Sequence, residues 1–162
     1  MKIGIVSDTH GKADKLRRAL EMLRARGAEA IVHCGDVGNA QCLEALADTG
    51  LPCHAVAGNT DCHLDELKAA AIQSGVQFDV DALVVDLGDG RKLAFSHGDN
   101  ATLVESLLAG KPAYLCLGHT HQSRDQRLGA TRIINPGAIA RGHPPSVALL
   151  DTATDALEFL KP

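Results

Sequence analysis

The sequence predicts an α/β fold in which two sheets pack together with helices outside. Three observations predict it. Aromatic residues make up only 2% of a chain that is 45% hydrophobic, with no Trp. Its core must therefore come from Val, Ile, Leu and Ala, which suits buried parallel strands. The first half alternates strand-length apolar runs with helical spacing closed by glycine. The second half carries hairpin signals instead.

Lys2 to Ser7 is a short apolar strand. Lys12 to Arg26 places Leu16, Ala19, Leu20 and Leu23 on one helical face, and Gly27 stops it. Ala28 to Cys34 reads as the second strand, Ala40 to Ala47 as the second helix, and Pro52 to Ala57 as the third strand. Leu64 to Ser74 is the third helix, closed by Gly75. Such βαβ units imply parallel strands and right-handed crossovers. Ala82 to Leu87 and Arg91 to Ser96 then flank Gly88-Asp89-Gly90, a hairpin signal. Ala101 to Ala109 is a helix ended by Gly110 and Pro112, and Tyr114 to Leu117 a short strand. Gln126 to Leu128 pairs with Thr131 to Ile134, and Ser146 to Asp151 with Ala156 to Leu160. No linker, repeat or low-complexity segment divides the 162 residues, so one domain over 1–162 is expected.

Composition excludes several classes. Charged residues at 22% are ordinary for a globular chain, so disorder is not expected. A net charge of −4 argues against a surface built for long nucleic acid, and there is no aromatic platform for stacking bases. No apolar stretch approaches the ~18 residues of a membrane span. The first apolar run meets Asp8 too early for a signal peptide. Five cysteines, with no Cys-x-x-Cys pair, are expected to be reduced and mostly core-packed in a cytoplasmic protein. Cys34 and Cys62 are read as packing residues. Gly110-Lys111 runs into Pro112, and no Gly-x-Gly-x-x-Gly follows the first strand, so both common phosphate-cradling loops are missing.

The informative pattern lies at strand ends. Asp8-Thr9-His10-Gly11, Gly35-Asp36, Gly58-Asn59-Thr60-Asp61, His97-Gly98-Asp99 and Gly118-His119-Thr120-His121 each follow a predicted strand. That edge of an α/β sheet is where ligands bind. Each piece alone is an ordinary turn or cap. Together they supply seven N/O ligands: Asp8, His10, Asp36, Asn59, His97, His119 and His121. Seven exceed one tetrahedral zinc site and suit two cations about 3.5–4 Å apart sharing a carboxylate. The donor set, without thiolate, favours Mn, Fe, Co, Ni or Zn.

The ordered motifs resemble the calcineurin-like metallophosphoesterases, and the short length and Gly-Asn-Thr-Asp variant resemble their small YfcE-type phosphodiesterase branch. The resemblance runs to about Pro145. It implies a four-layer α/β/β/α sandwich with two mixed sheets and a dinuclear site on one edge. It further implies that Asp8, His10 and His121 hold one metal, that Asn59, His97 and His119 hold the other, and that Asp36 bridges. Mn is the first expectation, with Ni, Co, Fe or Zn as substitutes. Asp36, Asn59 and His97 are then the catalytic set, and Asn59 also contacts substrate phosphate. A hydroxide shared by the metals would attack phosphorus in line, without a covalent enzyme intermediate. Two divalent ions, two carboxylates and that hydroxide leave the site at about +1, which attracts phosphate to an acidic chain.

Two departures matter. Larger relatives place a histidine acid where this chain has Thr60, which cannot protonate a leaving group near neutral pH. Small relatives often carry His-Gly-His where Asp99 stands here; Asp99 is read as a helix cap. Asp61, Asp99 and His63 are the candidate replacement acids. Arg141 is a candidate substrate contact, as is His143, although both also fit exposed loop positions. Asn135-Pro136-Gly137 is read as a rigid turn. The expected partner is a small phosphate ester, at no membrane, with self-association left open. Alternatives are a metal-poor scaffold on the same fold, or a nuclease acting on short oligonucleotides; a dinucleoside polyphosphate or cyclic nucleotide is equally compatible.

Overall fold

Apolar residues alternate along the first strand, and that alternation builds two cores. In the computed structural model, which describes residues 1–142 and 144–162, the chain order begins β1 (Lys2–Val6), α1 (Ala13–Ala25), β2 (Ala30–His33), α2 (Ala40–Ala47), β3 (Cys53–Val56), α3 (Leu64–Ser74) and β4 (Gln77–Asp79). It continues with β5 (Ala82–Asp86), β6 (Lys92–Ser96), α4 (Ala101–Ala109), β7 (Tyr114–Cys116), β8 (Ser123–Leu128), β9 (Thr131–Pro136), β10 (Val147–Asp151) and β11 (Ala156–Leu160). His143 lies outside the described residues.

The first sheet runs β11-β10-β1-β2-β3-β4, and the second β5-β6-β7-β9-β8. Strands β1 to β4 are parallel, while β10 and β11 turn antiparallel. In the second sheet β6, β7 and β9 are parallel, flanked by antiparallel β5 and β8. Both sheets are therefore mixed, as expected. Ile3 and Ile5 face the second sheet and pack with Val32, Val56, Leu93, Phe95 and Ile134. Val6 and Ile31 face outward onto Leu16, Leu20, Leu23, Leu43, Leu46 and Leu67 of α1 to α3. Burying each such side chain contributes about 1.5–3 kcal/mol.

Helix α4 supplies the fourth layer, and it is thin: none of its residues is fully buried. Among the described residues no helix is long and apolar enough to cross a membrane.

Four details differ from expectation. Strand β4, Gln77–Asp79, carries no alternation signal; it forms because it pairs in register with β3, with Ala57 N–H donating to Asp79 O at 3.0 Å. Strand β8 begins at Ser123 rather than Gln126, because an exposed, charged edge strand lacks the apolar period that marks a buried one. Helix α4 is capped by Asn100, whose Oδ1 accepts from Leu103 N–H at 3.2 Å, and not by Asp99. Cys62 is exposed, whereas Cys34, Cys42, Cys53 and Cys116 are buried. Burial pushes the Cys42 thiol up to about 12.

His33 carries a consequence for acid stability. Its ring is fully buried, Nε2 lies 2.7 Å from Thr9 Oγ1, and Nδ1 has no partner among the described residues. Burial, reinforced by the His97 ring, lowers its pKa to about 3. A neutral native ring and an unfolded ring titrating near 6.5 mean that stability is full above pH ~6.5 and falls as pH drops toward ~3. The slope is about 1.4 kcal/mol per pH unit. In urea titrations with chelator, His33→Gln should lose about 2 kcal/mol less than wild type between pH 6.5 and pH 5. Parallel losses would show that His33 does not titrate as its burial requires.

Candidate metal centre

The loops after β1, β2 and β3 of the first sheet meet those after β6 and β7 of the second. Backbone bonds join them: Asp8 N–H to Gly35 O (3.0 Å), His10 N–H to Asp36 O (2.9 Å) and Gly118 N–H to His97 O (2.9 Å). Asp8, His10, Asp36, His119 and His121 all have φ between 47° and 67°; only Lys111 and Asp155 share that property among the other described non-glycine residues. A left-handed backbone costs a side-chain-bearing residue roughly 1–2 kcal/mol. Strain concentrated at five of seven candidate ligands is a mark of a functional site.

All seven converge. Asp8 Oδ1 lies 3.1 Å from His121 Nε2 and 3.9 Å from His10 Nε2. Asp36 Oδ2 lies 3.5 Å from both His10 Nε2 and His97 Nε2. Asn59 Oδ1 lies 2.9 Å from His97 Nε2 and 3.1 Å from His119 Nδ1. Ligand atoms of Asp8, His10 and His121 fall within 4.8 Å of one another, as do those of Asp8, Asp36 and His97.

The donor chemistry fits cations. Asp8 Oδ2 accepts from His119 N–H at 3.2 Å, while Oδ1 and His10 Nε2 are buried with no hydrogen-bond partner among the described residues. His97 Nδ1 must donate to the Cys34 carbonyl at 2.9 Å, so the neutral ring turns its Nε2 lone pair toward Asn59 Oδ1 and Asp36 Oδ2. Lone pairs facing lone pairs in a buried place are costly unless a positive charge sits among them.

Close approach is built in at two glycines. A Cβ on Gly58 would collide with the Asp36 carboxylate and backbone, and one on Gly118 would collide with Ser7 Oγ and stand 2.9 Å from Asp8 Oδ2.

Electrostatics follow from these contacts. Burial alone would raise the Asp36 pKa, but the Thr60 N–H at 2.9 Å and the nearby His97 and His10 rings outweigh it and hold it below the ordinary range. Burial lowers the His10 pKa; Asp36 and Asp8 oppose that, while the Arg141 guanidinium adds to it.

The remaining candidates separate. Asp61 is buried, and its carboxylate accepts from Val37 N–H (3.0 Å), Gly38 N–H (2.7 Å) and Gly58 N–H (2.9 Å). It staples the Asp36 loop to the Asn59 loop, which removes it from the candidate acids. The His63 side chain is 77% exposed and faces Glu66 at 3.8 Å. Asp99 lines a cavity shared with Asn59 and His97. Thr60 Oγ1 lies 3.4 Å from His10 Nδ1. Arg141 is exposed on the His10 side.

Asn135 is more than part of a rigid turn. Its Nδ2 donates to Gly118 O at 2.6 Å and to Thr120 Oγ1 at 3.2 Å, and its Oδ1 accepts from Gly137 N–H at 2.9 Å. It thus clamps the loop that carries His119 and His121. A turn motif signals neither this nor the Asp61 staple, because both act on backbone groups brought together only by folding.

The chain is 28% identical over 156 residues to phosphodiesterase MJ0936 of Methanocaldococcus jannaschii, covering 94% of this chain and 93% of that protein. It is 27% identical over 168 residues to phosphodiesterase YfcE of Escherichia coli, covering 93% and 88%. A solved archaeal phosphodiesterase superposes with a TM-score of 0.88 at 27% identity, over 99% of each chain. The profile of the calcineurin-like phosphoesterase superfamily domain matches residues 1–155, and the chain belongs to that family.

Proposed function

We propose that the protein is a dinuclear phosphodiesterase that hydrolyses small phosphate esters, with Mn as the first candidate metal. Asp8, His10 and His121 would hold one cation, Asn59, His97 and His119 the other, with Asp36 between them. One observation carries this reading: Asp36 Oδ2 stands 3.5 Å from a ring nitrogen of each group, where a shared ligand belongs. When bound, such ions supply a water of near-neutral pKa and neutralise charge on the phosphoryl oxygens. The Asn59 side chain orients phosphate. His97, anchored through Nδ1 to Cys34 O, keeps its Nε2 directed at the centre.

No protein acid is assigned to the leaving group. The hydroxyl of Thr60, where larger relatives carry histidine, does not ionise near pH 7. A general acid contributes about 10²–10⁴-fold, most where the leaving group is poor. Phenyl esters should therefore turn over at least about 100-fold more slowly than p-nitrophenyl esters, and diesters faster than monoesters. A flat dependence on leaving-group pKa, with chemistry rate-limiting, would show that an acid is present.

The function itself is tested with mono- and diesters assayed against Mn, Ni, Co, Fe and Zn, with elemental analysis of the protein. The expected result is diesterase activity with two cations per chain. A chain that takes up no transition metal would support the scaffold reading instead.

A further inference from the structure

The two ends of the centre differ in charge. Beyond Gly11, which follows His10, a groove of about 390 Å³ is lined by Lys12, Lys15 and Arg18, with Asp14, Asn39 and Gln41. The three cations recur every third residue, so they share one face at the start of α1. Arg17, Arg26, Arg91, Arg127 and Arg132 sit in ion pairs; among the described residues Lys12, Lys15 and Arg18 do not. Three cations against one carboxylate make the groove positive in a chain of net charge −4. Its walls are the loops that carry His10 and Asp36, joined by Gly11 N–H to Val37 O at 3.0 Å and Asn39 Nδ2 to Gly11 O at 3.2 Å.

The opposite end is different. Beside Asn59 and His97, a cavity of about 190 Å³ is lined by Asp81, Asp99 and Asn100 and by Leu64, Val80 and Leu103. Among the described residues it holds no cationic side chain, and Asp81 and Asp99 enter no ion pair. An anionic group placed there meets like charge.

We infer that the substrate is a phosphodiester whose retained arm bears a second anionic group, seated in the Lys12–Lys15–Arg18 groove, while a neutral or cationic leaving arm lies over Asp81 and Asp99. The inference rests on the phosphodiesterase reading and gives it a substrate class and an orientation. A second phosphate in the groove adds binding that is sensitive to ionic strength, because the cations are exposed. A substrate with that phosphate on its leaving arm is turned away by the two carboxylates.

Two p-nitrophenyl esters of thymidine 5′-phosphate, with and without a 3′-phosphate, test it. They release the same leaving group and differ only in the charge of the retained arm. At low salt with Mn²⁺, the 3′-phosphorylated ester should show a kcat/KM at least about tenfold higher, an advantage that shrinks with added salt. In Lys12→Gln/Lys15→Gln/Arg18→Gln the ratio should fall toward one. Arg24→Gln, on the same helix outside the groove, should keep it. Equal rates in wild type, or a ratio that survives the triple substitution, would overturn the inference. If no ester is hydrolysed with any metal, the hydrolase reading fails. Calorimetry then still decides the groove, because thymidine 3′,5′-bisphosphate must bind at least about tenfold tighter than thymidine 5′-phosphate to wild type and not to the triple variant.

Discussion

Asp36→Asn is expected to lower kcat/KM by at least about 10³-fold while leaving the fold intact. The two carboxylate oxygens have different work. Oδ1 accepts the Thr60 N–H at 2.9 Å, and Oδ2 points between His10 and His97 at 3.5 Å from each. In the variant the amide oxygen would stay with the Thr60 N–H, since an amide nitrogen cannot accept. The NH₂ group then faces the gap and presents hydrogens where a cation needs a lone pair. The centre also loses a formal negative charge that the proposed ions require. Stability should change by no more than about 1–2 kcal/mol, because the Thr60 bond survives in weaker, uncharged form. Elemental analysis should show less than two metals per chain, and in the presence of chelator the unfolding curve should lie close to that of wild type. Full turnover with both metals retained would remove Asp36 from the bridging position.

How far these residues could be read before folding depends on where their signal lies. Helices α2, α3 and α4 match the expected Ala40–Ala47, Leu64–Ser74 and Ala101–Ala109 because local chemistry sets their ends. Asn39 and Asn100 cap the starts of α2 and α4, and Gly75 closes α3 at φ 74°. Strand β4 and the first half of β8 were hidden, since edge strands are defined by a neighbour rather than by their own apolar period. The seven candidate ligands stood out because Asp, His and Asn recur just past strand ends, where folding must gather them. Asp61 and Asn135 are legible only in other roles, as a candidate acid and a turn residue, and not as the clamps they form. Asp61 reaches N–H groups 23 and 24 positions away, and Asn135 a carbonyl 17 positions away. Nothing local marks such contacts. The choice of Asn100 over Asp99 as cap is a one-residue distinction between two good capping side chains. Freed from that role, Asp99 faces the cavity beside Asn59.

Asp61→Asn is expected to cost about 2–4 kcal/mol of stability and to weaken metal uptake, although Asp61 touches no proposed ligand atom. Oδ2 accepts two N–H groups, from Val37 and Gly58, and Oδ1 accepts the Gly38 N–H. An amide has one acceptor oxygen. Whichever way it turns, its NH₂ group opposes at least one backbone N–H, leaving buried donors unpaired at about 1–3 kcal/mol each. The midpoint of thermal unfolding should fall by about 5–10 °C for a chain of this size. Both loops held by Asp61 carry the centre: Val37 follows Asp36, and Gly58 precedes Asn59. Slackening them should raise the metal concentration needed for half-activity by about 10–100-fold. Saturating metal should restore much of kcat, because no reacting group is lost. That separates Asp61→Asn from Asp36→Asn, which excess metal should not rescue. A variant with unchanged unfolding and unchanged metal affinity would show that the loops hold their places without the staple.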